Sequence, residues 1–154
     1  MKYWQGQSSF PENGIAQETC RDFTHTGYGI ASISHIAETS RIQGTDLYSG
    51  DLGTRLRYAL EFQSTYELLA PVPSWLCGGK VKTGLGPGEI LNSPLKLSRA
   101  NFVLVVTEVG YNALSTRLGI SMPQTGALTM KNRPAGTDLL FVGWETLTHG
   151  NNTA

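Results

Sequence analysis

Residues 18–43 read ETCRDFTHTGYGIASISHIAETSRIQ, and this stretch decides the fold class. Ile30, Ile33, Ile36 and Ala37 recur at three- and four-residue steps, the spacing of one face of an α-helix running from about Glu18 to Gln43. Gly44 stands where a helix-terminating glycine is expected, and Thr45-Asp46 offers a cap for the element that follows. Leu52, Leu56, Ala59, Leu60, Phe62, Tyr66 and Leu69 then form a second amphipathic pattern, which Pro71 and Pro73 stop. A third helix is expected from Ser98, its cap, to about Leu118, with Phe102, Val103, Val105, Val106, Val109 and Leu114 inside it. Between the second and third, residues 70–97 carry Pro71, Pro73, Gly78, Gly79, Gly84, Gly86, Pro87, Gly88 and Pro94, a long irregular segment of the kind that is commonly functional. Beyond Gly119, Pro123, Gly126, Pro134 and Gly136 break the chain into loops around a short apolar run at 139–144. Residues 1–17 read as a loop-like lead-in and 150–154 as a polar tail. The expected class is all-α. Three amphipathic helices on long connections do not close a core by themselves, so the chain reads as part of a larger layered array of helix pairs.

The chain has 154 residues, and its 12 Lys and Arg balance its 12 Asp and Glu. Only 16% of residues are charged, against about 25% in a typical soluble chain. That excludes the basic footprint of a nucleic-acid binder and offers no polybasic patch for an anionic membrane. No run approaches the roughly 18 to 20 apolar residues of a membrane span. Ser, Thr, Asn and Gln together number 41, a polar but uncharged surface that suits sugar-like partners. Cys20 and Cys77 fit no zinc or redox spacing. Two buried thiols are the first reading, and a long-range disulfide, which needs an oxidising compartment, is the second. Asn151-Asn152-Thr153 is a glycosylation sequon of the kind that arises often by chance.

The chemistry-bearing residues concentrate in the first helix. On a helix Arg21, His25, Tyr28, Ser32 and His35 fall at steps of four, three, four and three, one continuous polar stripe. A cation, an imidazole and a phenol on one face can together bind a carboxylate and move a proton. Gly27 and Gly29 each cost a helix about 1 kcal/mol relative to Ala, which points to a close approach to the backbone there. Asp22 and Glu18 flank the stripe and are expected to face elsewhere. A solvated helix face accounts for the same spacing. Trp75, among prolines and glycines, is a candidate for stacking on a sugar ring, although a Trp is more often core or half-core. The glycine-rich run at 84–88 lacks the Lys-Ser/Thr of a phosphate loop and reads as plain loop. His25, His35 and His149 show no metal-ligand spacing, and neither metal nor cofactor is expected.

The run Gln17-Glu18-x-x-Arg21-Asp22-x-x-His25-Thr26-x-x-Gly29, followed by Ala37-Glu38 and by Gln43-Gly44-x-Asp46-Leu47-Tyr48, resembles the alginate lyase domain family of polysaccharide lyases. Arg55-Leu56 with Glu61, Glu108-x-x-Tyr111-Asn112, Arg117 and Arg133-Pro134 look like further landmarks of that family. The resemblance implies an incomplete α/α toroid, of which residues 18–149 look like the C-terminal part. It implies β-elimination at a uronic acid within an acidic polysaccharide, in a secreted protein. Arg21 and Tyr28 keep the family's separation of seven residues between an arginine and a catalytic tyrosine. By that resemblance Tyr28 is the general acid and also a candidate base, Arg21 holds the uronate carboxylate and steadies the phenolate, and His25 is an accessory group or alternative base. Gln17, Arg21 and Trp75 are the expected substrate-binding residues. Two other readings stand beside this one. The chain is a catalytically incomplete toroid fragment that binds saccharide, or a toroid glycoside hydrolase, which needs a carboxylate pair that the sequence does not single out.

Overall fold

The computed structural model describes residues 14–82, 107–134 and 145–150. All regular elements there are helical: α1 (Phe23–Ile42), α2 (Asp51–Glu67), a short 3₁₀ turn (Cys77–Gly79), α3 (Glu108–Tyr111), which passes directly into a π-helical stretch (Asn112–Arg117), α4 (Pro123–Asn132) and α5 (Glu145–His149). No strand occurs among the described residues, so the all-α class holds. No described helix is long and apolar enough to cross a membrane.

Helix α1 starts later than its periodicity implies. Asp22 is extended, with φ −172°, and its carboxylate accepts the backbone N–H of His25 at 2.8 Å, an N-cap that turns residues 17–21 into a separate turn before the helix. At the other end Gly44 takes φ +89°, donating to the Arg41 carbonyl at 2.9 Å while Thr45 donates to that of Ser40 at 2.9 Å. This paired bonding is the motif for which a glycine after the helix is selected. Asp46 does not cap α2. Its carboxylate accepts from the Tyr48 backbone at 2.7 Å and shapes the connecting turn, while Gly50 precedes the helix. Helix α2 ends at Glu67, before either proline acts. Leu69 turns left-handed at φ +67° and Ala70 bonds back to the Thr65 carbonyl at 3.2 Å, so a capping turn does the stopping.

The third helix is described from Glu108, after Thr107; Ser98 and the Val-rich run lie outside the described residues. One difference from the sequence reading changes the architecture: α4 occupies a segment read as loop. Pro123 is not a breaker there, because the first helical position has no use for the missing N–H. Glu61 of α2 supplies the cap, accepting the backbone N–H groups of Thr125 at 2.9 Å and Gln124 at 3.3 Å. A carboxylate sixty residues away in sequence therefore makes this helix, and no local pattern shows it.

With α4 in place the core does close. Ile30 and Ala37 of α1, Leu52, Leu56, Ala59 and Leu60 of α2, Ala113 and Leu114 of the π-helical stretch, and Met122 before α4 form one buried cluster. Helix α2 packs against α1 and α4, and α3 against α1, α4 and α5. Gly110 permits the α3 crossing, since a Cβ there would meet the Leu60 and Ser34 side chains.

Cys20 and Cys77 are joined in a disulfide, with Cα atoms 5.2 Å apart and a sequence separation of 57. The expectation of two buried thiols fails because Cys20 stands exposed in the turn before α1. Closing so long a loop removes considerable entropy from the unfolded chain. The double replacement of Cys20 and Cys77 by Ser is expected to lower unfolding free energy by about 2–4 kcal/mol. Denaturant titration with and without reductant checks this, and an unchanged midpoint in both would contradict it.

Candidate functional site

The turn before α1 is built by its own polar groups. The Ala16 backbone N–H donates to the Thr19 hydroxyl at 2.8 Å, and the Arg21 N–H donates to the Glu18 carbonyl at 2.9 Å. Gln17 and Arg21 are thereby displayed to solvent, with the Arg21 side chain 60% exposed. Arg21 thus precedes the helix and is not on it. Its guanidinium lies 3.2 Å from Glu18 Oε2 and its Nε 3.8 Å from Asp22 Oδ2. Glu18 and Asp22 do not face elsewhere, as the spacing had implied; they are the partners of Arg21.

Asp22 also holds His25. Both carboxylate oxygens lie against the imidazole Nδ1, at 2.7 and 2.8 Å. Burial by itself would raise the Asp22 pKa, but the bonds from the His25 backbone and ring, with the charges of His25 and Arg21, outweigh it and hold the carboxyl below its ordinary value. An ionised carboxylate can only accept, so in the neutral ring Nδ1 carries the proton and Nε2 presents its lone pair. Tyr28 follows one turn along α1, half-exposed, its ring edge-on to that of His25 with centroids 6.4 Å apart. Arg21, Asp22, His25 and Tyr28 are thus one contiguous constellation.

The disulfide brings the expected stacking residue to the same end of the molecule. Trp75 is 67% exposed and only two residues from Cys77, which is bonded to Cys20 beside Arg21. Two residues of chain reach at most about 7 Å. The Phe23 N–H also donates to the Lys82 carbonyl at 2.8 Å, so the 70–82 segment returns to the first turn of α1. All five expected site residues, Gln17, Arg21, His25, Tyr28 and Trp75, fall in this region.

The rest of the stripe continues along α1 through Ser32 to His35, which lies ten positions and about 15 Å of helix rise beyond His25. His35 Nε2 is 3.5 Å from the buried Glu145 of α5, and its ring is 6.2 Å from that of His149. Burial depresses the His149 pKa, aided by the charges of His35 and Arg117 and opposed by Glu38 and Glu145. No cluster of three metal-ligating side chains occurs among the described residues. The two helical glycines differ. Gly27 is buried, whereas Gly29 is exposed and a Cβ there would meet nothing within 4 Å, so at Gly29 no described part of the chain makes the close approach that the sequence implied.

The remaining landmark residues hold the framework. Glu38, 5% exposed, takes both Arg117 guanidinium nitrogens at 2.7 and 2.6 Å, Arg41 at 3.0 Å and the Tyr48 hydroxyl at 3.1 Å. Burial would raise its pKa, but the bonds from Arg117, Arg41 and Tyr48 and the Arg117 charge pull it down to about 2. Burial and the Glu38 charge push the Tyr48 phenol up, away from any acid–base role. Glu108 receives Arg133 Nε at 3.0 Å and the Thr146 hydroxyl at 3.0 Å, tying α3 to α5. An open groove of about 330 Å³, lined among others by Tyr48, Gly53, Arg57 and Ile120, holds none of the constellation.

Sequence reasoning missed Asp22 as the partner of His25, although the three-residue spacing across a helix start was visible. It also missed Glu145, for which nothing local signals contact with His35. The apolar run at 139–144, the glycine-rich 84–88 run and the sequon lie outside the described residues. No protein family, curated protein or solved structure matches the chain.

Proposed function

We propose that the chain acts on a uronic-acid-containing polysaccharide, alginate-like or glucuronan-like, as a lyase that breaks the chain by β-elimination, and that its helices are the C-terminal part of an α/α toroid. The observation that carries the reading is the contact of the Asp22 carboxylate with His25 Nδ1, one helical turn from Tyr28 and beside Arg21. Elimination needs three things: a cation to neutralise the uronate carboxylate, a base for the C5 proton, and an acid for the departing O4. Arg21 supplies the cation. Its present pairing with Glu18 is solvent-exposed and worth about 0–1 kcal/mol, so turning to a substrate carboxylate costs little. His25 Nε2 takes the C5 proton, and Asp22 steadies the imidazolium that forms. The electrons of the C5–H bond become the C4=C5 double bond as C4–O4 breaks, and the Tyr28 phenol protonates O4. Tyr28 then recovers a proton, and His25 loses one, through solvent.

Apolar residues left exposed along the helices, Ile36 and Ile42 on α1 and Met130 on α4, support a layered array with further partners. The disulfide supports an oxidising, extracellular setting. The exposed Trp75, on the segment that the disulfide ties to the turn carrying Arg21, favours a second reading, in which the chain binds saccharide without cleaving it. One assay separates them. The lyase reading expects ultraviolet absorbance of an unsaturated uronate to grow on alginate or glucuronan and on no neutral glucan. Saturable binding of a uronate polymer with no absorbance would leave binding alone, and neither binding nor absorbance would end both readings.

A further inference from the structure

Gly29 is the unexplained residue of the site. It sits in the interior of a 20-residue helix without a left-handed φ, so the backbone does not require glycine. Nothing described lies within 4 Å of where its Cβ would be, so packing does not require it either. Its conformational freedom weakens the helix and gains no contact among the described residues. Around it stand side chains of the candidate site: His25 one turn before, Tyr28 adjacent, Ser32 and the exposed Ile36 in the next two turns. The result is a bare patch of helix backbone with an imidazole and a phenol at one end, a hydroxyl beside it and an apolar side chain at the other.

We infer that the backbone at Gly29 is the floor of a pyranose subsite, on which one sugar ring of a uronate chain lies flat against α1. The proposal rests on the lyase reading and deepens it. A ring set on this floor brings its hydroxyls within reach of Ser32 and Tyr28 and its C5 edge toward His25, while Ile36, seven positions and about 10 Å of helix rise farther on, lies beyond that ring. A methyl group at position 29 lifts the ring away from the groups that act on it, and a larger side chain occupies the subsite outright.

Gly29→Ala and Gly29→Leu test this because stability and function must move in opposite directions. Both residues favour helix over Gly, so both variants are expected to melt higher by about 2–4 °C. The Michaelis constant for the cleaved polymer, or the dissociation constant for methyl glycosides of mannuronate, guluronate and glucuronate read at the Gly29, Tyr28 and Ser32 amides by NMR, is expected to rise about fivefold in the Ala variant. In the Leu variant it rises roughly a hundredfold, the range that overpacking a fitted site gives. Variants that melt higher while keeping wild-type constants overturn the subsite and leave the lyase reading standing. Variants that melt lower show a packing role for Gly29 and overturn it too. A wild-type chain that neither cleaves nor binds any of these uronates overturns both together.

Discussion

On the lyase reading, Tyr28→Phe is expected to lower turnover on the susceptible polymer by at least about two orders of magnitude, the usual scale for removing a general acid. His25→Asn costs about as much, and the double variant loses little more than either single, because acid and base serve one concerted departure. The Phe ring keeps the edge-on contact with His25, so the Tyr28 loss reports the missing hydroxyl and leaves the packing in place. Asp22→Asn isolates the third member. Asparagine caps a helix as well as aspartate does, so α1 keeps its start. Its amide can donate to the imidazole, however, and so favours the tautomer in which Nε2 carries the proton and cannot act as base. The expected outcome is a folded protein with turnover reduced by about tenfold or more. Initial rates of unsaturated-uronate formation, read beside thermal midpoints, check all four variants. A change under threefold in Tyr28→Phe removes the phenol from the mechanism, and full activity in Asp22→Asn removes the tautomer argument.

The positions of the candidate site on α1 were legible in the sequence, whereas their supports were only partly so. The step of three from His25 to Tyr28 survives in space because both lie inside α1, where spacing translates into position. Arg21 reaches the same place by another route. The helix has not begun at residue 21, and Asp22 gathers Arg21 and His25 by contact. Helical periodicity overran that start because it registers apolar spacing and is blind to a cap whose oxygen replaces a helical bond. The same blindness hid α4. Pro123 and Gly126 are breakers in a local reading, yet Glu61 satisfies the helix start and Gly126 lies against the Tyr111 ring, where a side chain would crowd it. Trp75 could be judged a loop residue from its neighbours, but the Cys20–Cys77 bond and the bond from Phe23 to the Lys82 carbonyl are what tie its segment to the start of α1. Residues far apart in sequence that meet through one charge or one covalent bond leave no periodic trace.

Glu38 shows how firmly α1 is held while it presents the site. Arg117→Met removes the bidentate partner and leaves a nearly buried carboxylate with only Arg41 and the Tyr48 hydroxyl, which is expected to lower unfolding free energy by about 2–4 kcal/mol. For a chain of this size that is a fall of roughly 10 °C in melting temperature. Replacing both partners, as in Glu38→Leu with Arg117→Met, recovers a large part of it, because no charge is then left alone in the interior. The effect depends on pH with a definite sign. The folded-state pKa of Glu38 lies at about 2, below its ordinary 4.5, so the contribution is fully present above about pH 4.5 and is lost as pH falls toward 2. The gap between wild type and Arg117→Met should therefore be wide at pH 7 and narrow progressively as pH falls toward 2, and melting curves across that range measure it. An equal gap at both ends would mean that the pair is not what titrates. Because Glu38 and His25 ride on the same helix, at opposite sides of its middle, Arg117→Met also discriminates fold from chemistry. Below its melting range its turnover should match the fraction folded, whereas Tyr28→Phe loses turnover with the fold intact.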